Sequence, residues 1–323
     1  MQNNTHIHTY HTMDWTIKTV DISKLLGRHD IRWQLSPTVN ILGGPNGSGK
    51  STILRAIERV LTDKNLSGAP LDSSLKTIEI TFTNDVRRRS GADNSKPIIP
   101  NEKKGVDNKN FSKGTITAED AIMPLISGLK VIYINSADQI ASAASRKVSD
   151  SALADKEFLT YLDLLIEDEL NNYNQQYTEY TQAVLLANTE NKTTELLRIQ
   201  ELFDKFYISL QQFMPQYTIV NMSKLIFGIS DEDGVDQTFP FTQLSTGEKQ
   251  LVYLLLTVTN TLENQTLLLL DEADLGMHID WKKILLRELR RINPNMQIIA
   301  ATHSPSLIEG WYDNVHDISQ LYV

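Results

Sequence analysis

Hydrophobic and polar positions alternate in two short runs near the start of the chain, Trp15, Ile17 and Val20, then Ile31, Trp33 and Leu35. That is the period of half-buried strands, and Pro37 closes the second. Val39 to Leu42 is a short apolar run ending in Gly43 and Gly44, and from Lys50 the residues Ile53, Leu54, Ile57, Val60 and Leu61 share one helical face. The stretch reads as strand, glycine turn, helix. Ile78, Ile80 and Phe82 alternate as another strand, after which Asn84 to Thr115 turns polar and predicts a mobile excursion.

Val131 to Ile134 predicts a buried strand. From about Asp155 to Phe213 the spacing becomes helical, with Leu162, Leu165, Ile166, Tyr173, Tyr177, Tyr180 and Val184 on one face and Leu196, Ile199, Phe203, Phe206 and Leu210 on a second. The polar break Asn188 to Thr193 predicts a turn between two antiparallel helices. An arm of ~30 residues reaches about 45 Å, a lobe rather than a long coiled coil. The α/β pattern then returns: a helix from Thr246, a strand Thr266 to Leu270, a helix from about Asp280 to Arg291 and a strand Gln297 to Thr302.

Composition narrows the class. Of 323 residues, 41% are hydrophobic and 22% charged, with a net charge of −9, so the chain has material for a real core and an acidic balance that argues against coating nucleic acid. No cysteine is present, which excludes disulfides, thiolate zinc sites and cysteine nucleophiles. The first 20 residues hold no apolar stretch of secretory type and no apolar run approaches the ~18 residues of a membrane span, so a cytoplasmic location is expected, without membrane.

Three motifs carry chemistry. Gly44-Pro45-Asn46-Gly47-Ser48-Gly49-Lys50-Ser51, followed by Thr52, matches the phosphate-binding loop G-x-x-x-x-G-K-[ST] between a strand and a helix, its required context. Its glycines let successive N–H groups turn inward, Lys50 would reach the β and γ phosphates, and Ser51 would ligate magnesium. Four leucines, 267 to 270, end in Asp271 and Glu272. At the carboxyl end of a buried parallel strand, Asp271 would hold hydrated magnesium and Glu272 could act as general base. Ser245 with Glu248 forms a capping box at the start of an apolar helix, which reads either as a well-started helix or, with Gly247, as a second phosphate site.

Leu244-Ser245-Thr246-Gly247-Glu248-Lys249-Gln250, lying between a phosphate loop and an apolar strand ending in Asp-Glu, resembles the signature of ABC-type ATPases. Ala273 to His278 resembles that superfamily's D-loop, and Ala301-Thr302-His303-Ser304-Pro305 its switch histidine. Within the superfamily, G-P-N-G-S-G-K-S-T, D-E-A-D-L-G-M-H and T-H-S-P are similar to soluble SMC, RecF and OLD-like ATPases and to stand-alone ATPases of bacterial anti-phage systems. The resemblance implies an α/β P-loop fold of ABC type, with residues 1–145 and 216–323 as two parts of one ATPase domain and 146–215 as an inserted helical lobe. It further implies a homodimer sandwiching two ATP molecules, or a higher oligomer, in which Ser245 and Gly247 of one protomer cover ATP on Lys50 and Ser51 of the other. Glu272 and His303 would serve hydrolysis with Lys50, and a separate effector protein would read the switch. A DNA-repair or chromosome-associated ATPase and a transporter subunit are the alternatives.

Gln139, five residues past the Val131 to Ile134 strand, is the candidate for the family's magnesium-binding glutamine. Trp15 and Trp33 are candidates for stacking on adenine or, as alternating strand positions, for the core. Arg87, Arg88 and Arg89 with five lysines up to Lys113 make a basic stretch that could touch DNA or simply be solvated, and His6, His8 and His11 could hold a metal or belong to a frayed terminus.

Overall fold

The computed structural model describes residues 16–62, 75–91, 128–135, 159–187, 191–231 and 234–323. In chain order come β1 (Ile17–Leu25), β2 (His29–Gln34), β3 (Val39–Gly43), α1 (Lys50–Thr62), β4 (Thr77–Phe82), β5 (Arg87–Gly91) and β6 (Lys130–Asn135). Then follow α2 (Tyr161–Leu186), α3 (Lys192–Phe213), β7 (Tyr217–Asn221), β8 (Ile226–Asp231), β9 (Gly234–Pro240) and α4 (Thr246–Thr259). The last elements are β10 (Thr266–Asp271), α5 (Ile279–Ile292), β11 (Met296–Ala301), α6 (Pro305–Ile308) and β12 (Val315–Asp317).

A parallel sheet in the order β12-β3-β11-β10-β6 forms the centre. Its two innermost strands, β10 and β11, are buried at every position because both faces are covered. Leu267, Leu269, Ile299 and Ala301 face α1 and an antiparallel sheet ordered β2-β1-β4-β5, whereas Leu268, Leu270, Ile298 and Ala300 face the core shared with α2, α3, α4 and α5. Buried Gln297 pins the two sheets together, accepting from the Ile17 N–H at 2.8 Å and donating to the Ile17 and Ser36 carbonyls. The α/β P-loop architecture of ABC type, with helices inserted between the two contributions to one sheet, is the one expected from the chain.

Two expectations change. Asn84 onward does not leave the fold at once: Arg87–Gly91 pairs with β4, and Arg87 lies 3.6 Å from Glu79 across the strands. Edge pairing with a strand whose other face is core outweighs the run of three like charges. The segment after α3 forms a three-stranded sheet, β7-β8-β9, that the polar-apolar pattern did not announce. The two long helices are rooted in the main core through Leu162, Ile166, Phe206 and Leu210, and expose Leu185, Leu186 and Leu197 at the far end. Trp33 is fully buried, which removes it as a base-stacking surface. Gln139, Trp15, the three N-terminal histidines, the basic residues beyond Gly91 and the 145/146 boundary lie outside the described residues. Among the described residues no helix is long and apolar enough to cross a membrane.

Candidate nucleotide site

The loop between β3 and α1 turns on Gly44, whose φ of +140° and close approach to Ile318 leave no room for a side chain: a Cβ there would lie 2.6 Å from Ile318 Cγ2. Pro45, Asn46 and Gly47 are exposed at the tip, Ser48 and Gly49 are partly covered, and Lys50 opens the helix buried. The Lys50 ammonium donates to the carbonyls of Gly44 at 3.0 Å and Pro45 at 3.1 Å and lies 2.8 Å from His303 Nε2. A lysine with three donors and no acceptor assigns His303 Nε2 as acceptor there, so the ring proton sits on Nδ1. Burial pulls the Lys50 pKa below its ordinary value, against the opposing charges of Glu272 and Asp271.

Asp271 ends β10 and is 2% exposed. Ser51 Oγ donates to its Oδ1 at 2.9 Å, and Tyr133 Oη donates to its Oδ2 at 2.7 Å. Glu272 follows in a left-handed conformation, φ +52°, held by its N–H on the Ala301 carbonyl at 2.8 Å. That turn aims the half-buried carboxylate at the exposed His303, 3.5 Å from Oε1 to Nε2. The next residues are equally tied: Thr302 Oγ1 donates to Asp274 Oδ1 at 2.9 Å, and Lys282 lies 3.1 Å from the other oxygen.

Ser245, Gly247 and Glu248 form a second cluster. The capping box is present in both directions, with the Ser245 N–H on Glu248 Oε2 at 2.7 Å and the Glu248 N–H on Ser245 Oγ at 3.4 Å. Tyr217 of β7 donates to Glu248 Oε1 at 3.2 Å, and burial followed by the Glu248 charge raises its phenol pKa. Gly247 packs on the segment following Glu272, where a Cβ would meet Gly276 O at 2.6 Å, and Gln250 Nε2 bonds the Ala273 carbonyl. Lys50, Ser51, Asp271, Glu272 and His303 are therefore drawn together directly, while the signature meets them through the Ala273–Gly276 segment.

Residues 39–309 match the family described as "AAA domain, putative AbiEii toxin, Type IV TA system". The chain belongs to this family. It is similar to the Septu protein PtuA of Bacillus thuringiensis, 20% identical over 313 residues that cover 91% of this chain and 73% of that protein. The Retron Vc95 probable ATPase of Vibrio cholerae serotype O1 biovar El Tor is 27% identical over 175 residues, covering 44% of this AAA-family chain and 34% of that protein. Among solved structures, an SMC head bound to the C-winged helix domain of ScpA superposes with a TM-score of 0.49 at 16% identity, covering 90% of this chain and 91% of that one.

The donor set fits the nucleotide and metal this family implies. Ser51 and Asp271 present oxygens side by side, as a hard cation requires, and Ser48 Oγ is buried inside the loop with no hydrogen-bond partner among the described residues. Sequence reasoning missed Tyr133, Tyr217 and the Asp274–Thr302 contact. Tyr133 carried one signal, a single polar-tipped aromatic in the otherwise aliphatic run Val131 to Ile134.

Proposed function

We propose that this chain binds and hydrolyses ATP and works as a dimerising switch on a partner protein. One observation carries the reading: Lys50 and Ser51 of the phosphate loop, Asp271 and Glu272 of β10 and His303 beyond β11 converge from three parallel strand ends. Lys50 would redirect its donors from His303 to the β and γ phosphates, while the loop's N–H groups and the start of α1 cradle them. Magnesium held by Ser51 and Asp271, with Gln139 as a candidate further ligand, would supply charge neutralisation at those phosphates. Glu272 would take a proton from the attacking water as the water oxygen bonds the γ-phosphorus and the bond from that phosphorus to the bridging β-phosphate oxygen breaks, giving ADP and phosphate. With Lys50 turned to the phosphates, His303 stands where its ring N–H can donate to the transferred group.

Ser245, Gly247 and Glu248 complete the site in trans on this reading, since one chain carries both a phosphate loop and a signature. Support comes from the capped N-terminus of α4 and from Leu275 and Ile279, 51% and 56% exposed beside it. Residues 1–145 and 216–323 then act as one ATPase body and 146–215 as the insertion that signals outward. The similarity to a Septu protein along most of the chain and to a retron ATPase supports an effector of anti-phage defence as partner.

Glu272→Gln purified from its native host with ATP and magnesium tests this. A dimer with a stoichiometric second protein is the expected result. Nucleic acid alone would favour the DNA-repair alternative, and a chain that neither binds nucleotide nor dimerises would overturn the reading.

A further inference from the structure

Tyr133 lies on β6, outside all three motifs, yet its hydroxyl is the second hydrogen-bond donor to the Asp271 carboxylate. In the parallel register Tyr133 stands opposite Leu269, two residues before Asp271 on the same face of β10. A long side chain leaning along the strand spans that offset, about 6.6 Å. Arg55 Nε of α1 donates to the same hydroxyl at 3.2 Å and Asn135 Nδ2 at 3.4 Å, so with its lone pairs engaged the phenol proton is committed to Asp271. Ser51 holds Oδ1 and Tyr133 holds Oδ2: one oxygen is tied to the phosphate loop and the other to the sheet edge.

We infer that Tyr133 is a positioning residue for the metal-nucleotide site, holding the Asp271 carboxylate in the rotation that presents Oδ1 beside Ser51. The inference rests on the proposed reading of Asp271 and Ser51 as the magnesium pair. Without the hydroxyl, the carboxylate turns about its Cβ–Cγ bond and must be ordered again each time metal binds. Loss of such an outer hydrogen bond lowers metal affinity by roughly 10-fold to 100-fold.

The test compares Tyr133→Phe with the unsubstituted chain by fluorescent ADP binding, first in a chelator and then along a magnesium titration. Expected are nucleotide affinities within about twofold without metal and a half-saturating magnesium concentration raised at least roughly tenfold in the variant. Equal magnesium titrations overturn the inference, as does a loss of affinity of the same size with and without metal, which marks a merely structural role. If magnesium does not affect ADP binding to the unsubstituted chain, the parent reading falls as well. Should Tyr133→Phe fail to fold, 3-fluorotyrosine at position 133 keeps the hydroxyl. Its fluorine resonance should shift when magnesium joins the ADP complex, and an unmoved signal overturns the inference.

Discussion

Lys249 and Asp163 form a buried ion pair at 2.8 Å that ties the signature helix to the first turn of the long helix α2. Lys249 lies four residues past the Ser245 cap, and Asp163 closes its own capping box with Thr160. The contact joins the segment proposed to cover nucleotide to the one proposed to signal outward. Lys249→Met strands a buried carboxylate and should lower unfolding stability by about 3–5 kcal/mol. Adding Asp163→Leu should restore most of that, less about 1 kcal/mol for the lost cap. Urea denaturation of the two variants checks both values.

Glu272 occupies a left-handed backbone conformation that costs a non-glycine residue about 1–2 kcal/mol and turns its carboxylate toward His303. Glutamine has the same backbone preference and size. Glu272→Gln should therefore melt within about 0.5 kcal/mol of the parent while phosphate release falls by roughly 10²-fold to 10⁴-fold. Normal turnover would remove Glu272 as the base.

A Cβ on Gly247 would lie 2.6 Å from the carbonyl oxygen of Gly276, so Gly247→Ala must displace either the helix start or the loop after Glu272. Overpacking of this kind costs about 1–3 kcal/mol. Because the signature is proposed to act on the partner's nucleotide, ATP affinity of the isolated chain should change little. ATP-dependent dimerisation, followed by light scattering, should be lost.

Lys50 titrates below an ordinary lysine because it is buried. The unfolded chain therefore binds more protons than the folded one between the lowered pKa and the usual value near 10.5, so this group makes stability rise with pH across that window. Nucleotide binding runs the other way, since phosphate needs the ammonium: affinity should start to fall at a lower pH than a free lysine would impose. Lys50→Ala should abolish binding outright. An alkaline titration of ADP affinity, set beside Lys50→Arg, reads the effect.

Much of this is legible in the amino-acid sequence. Hydrophobic runs at 39–42 and 267–270, each meeting a glycine turn or a carboxylate pair, are local patterns, and local spacing dictates element type and the strand end at which chemistry collects. The order of motifs implied the family for the same reason, because Lys50, Ser245, Asp271 and His303 each sit in a short recognisable string.

Tyr133 and Asp271 are 138 residues apart, and only the parallel register of β6 on β10 brings hydroxyl to carboxylate. Arg87–Gly91 became a strand because β4 offered unpaired backbone groups, a partner that its own arginines do not encode. The φ of Glu272 and the burial that lowers Lys50 likewise depend on what the rest of the chain packs around them. Residue types and short spacings belong to the sequence, whereas register, rotamer and desolvation arise from contacts between distant segments, which tertiary structure alone decides.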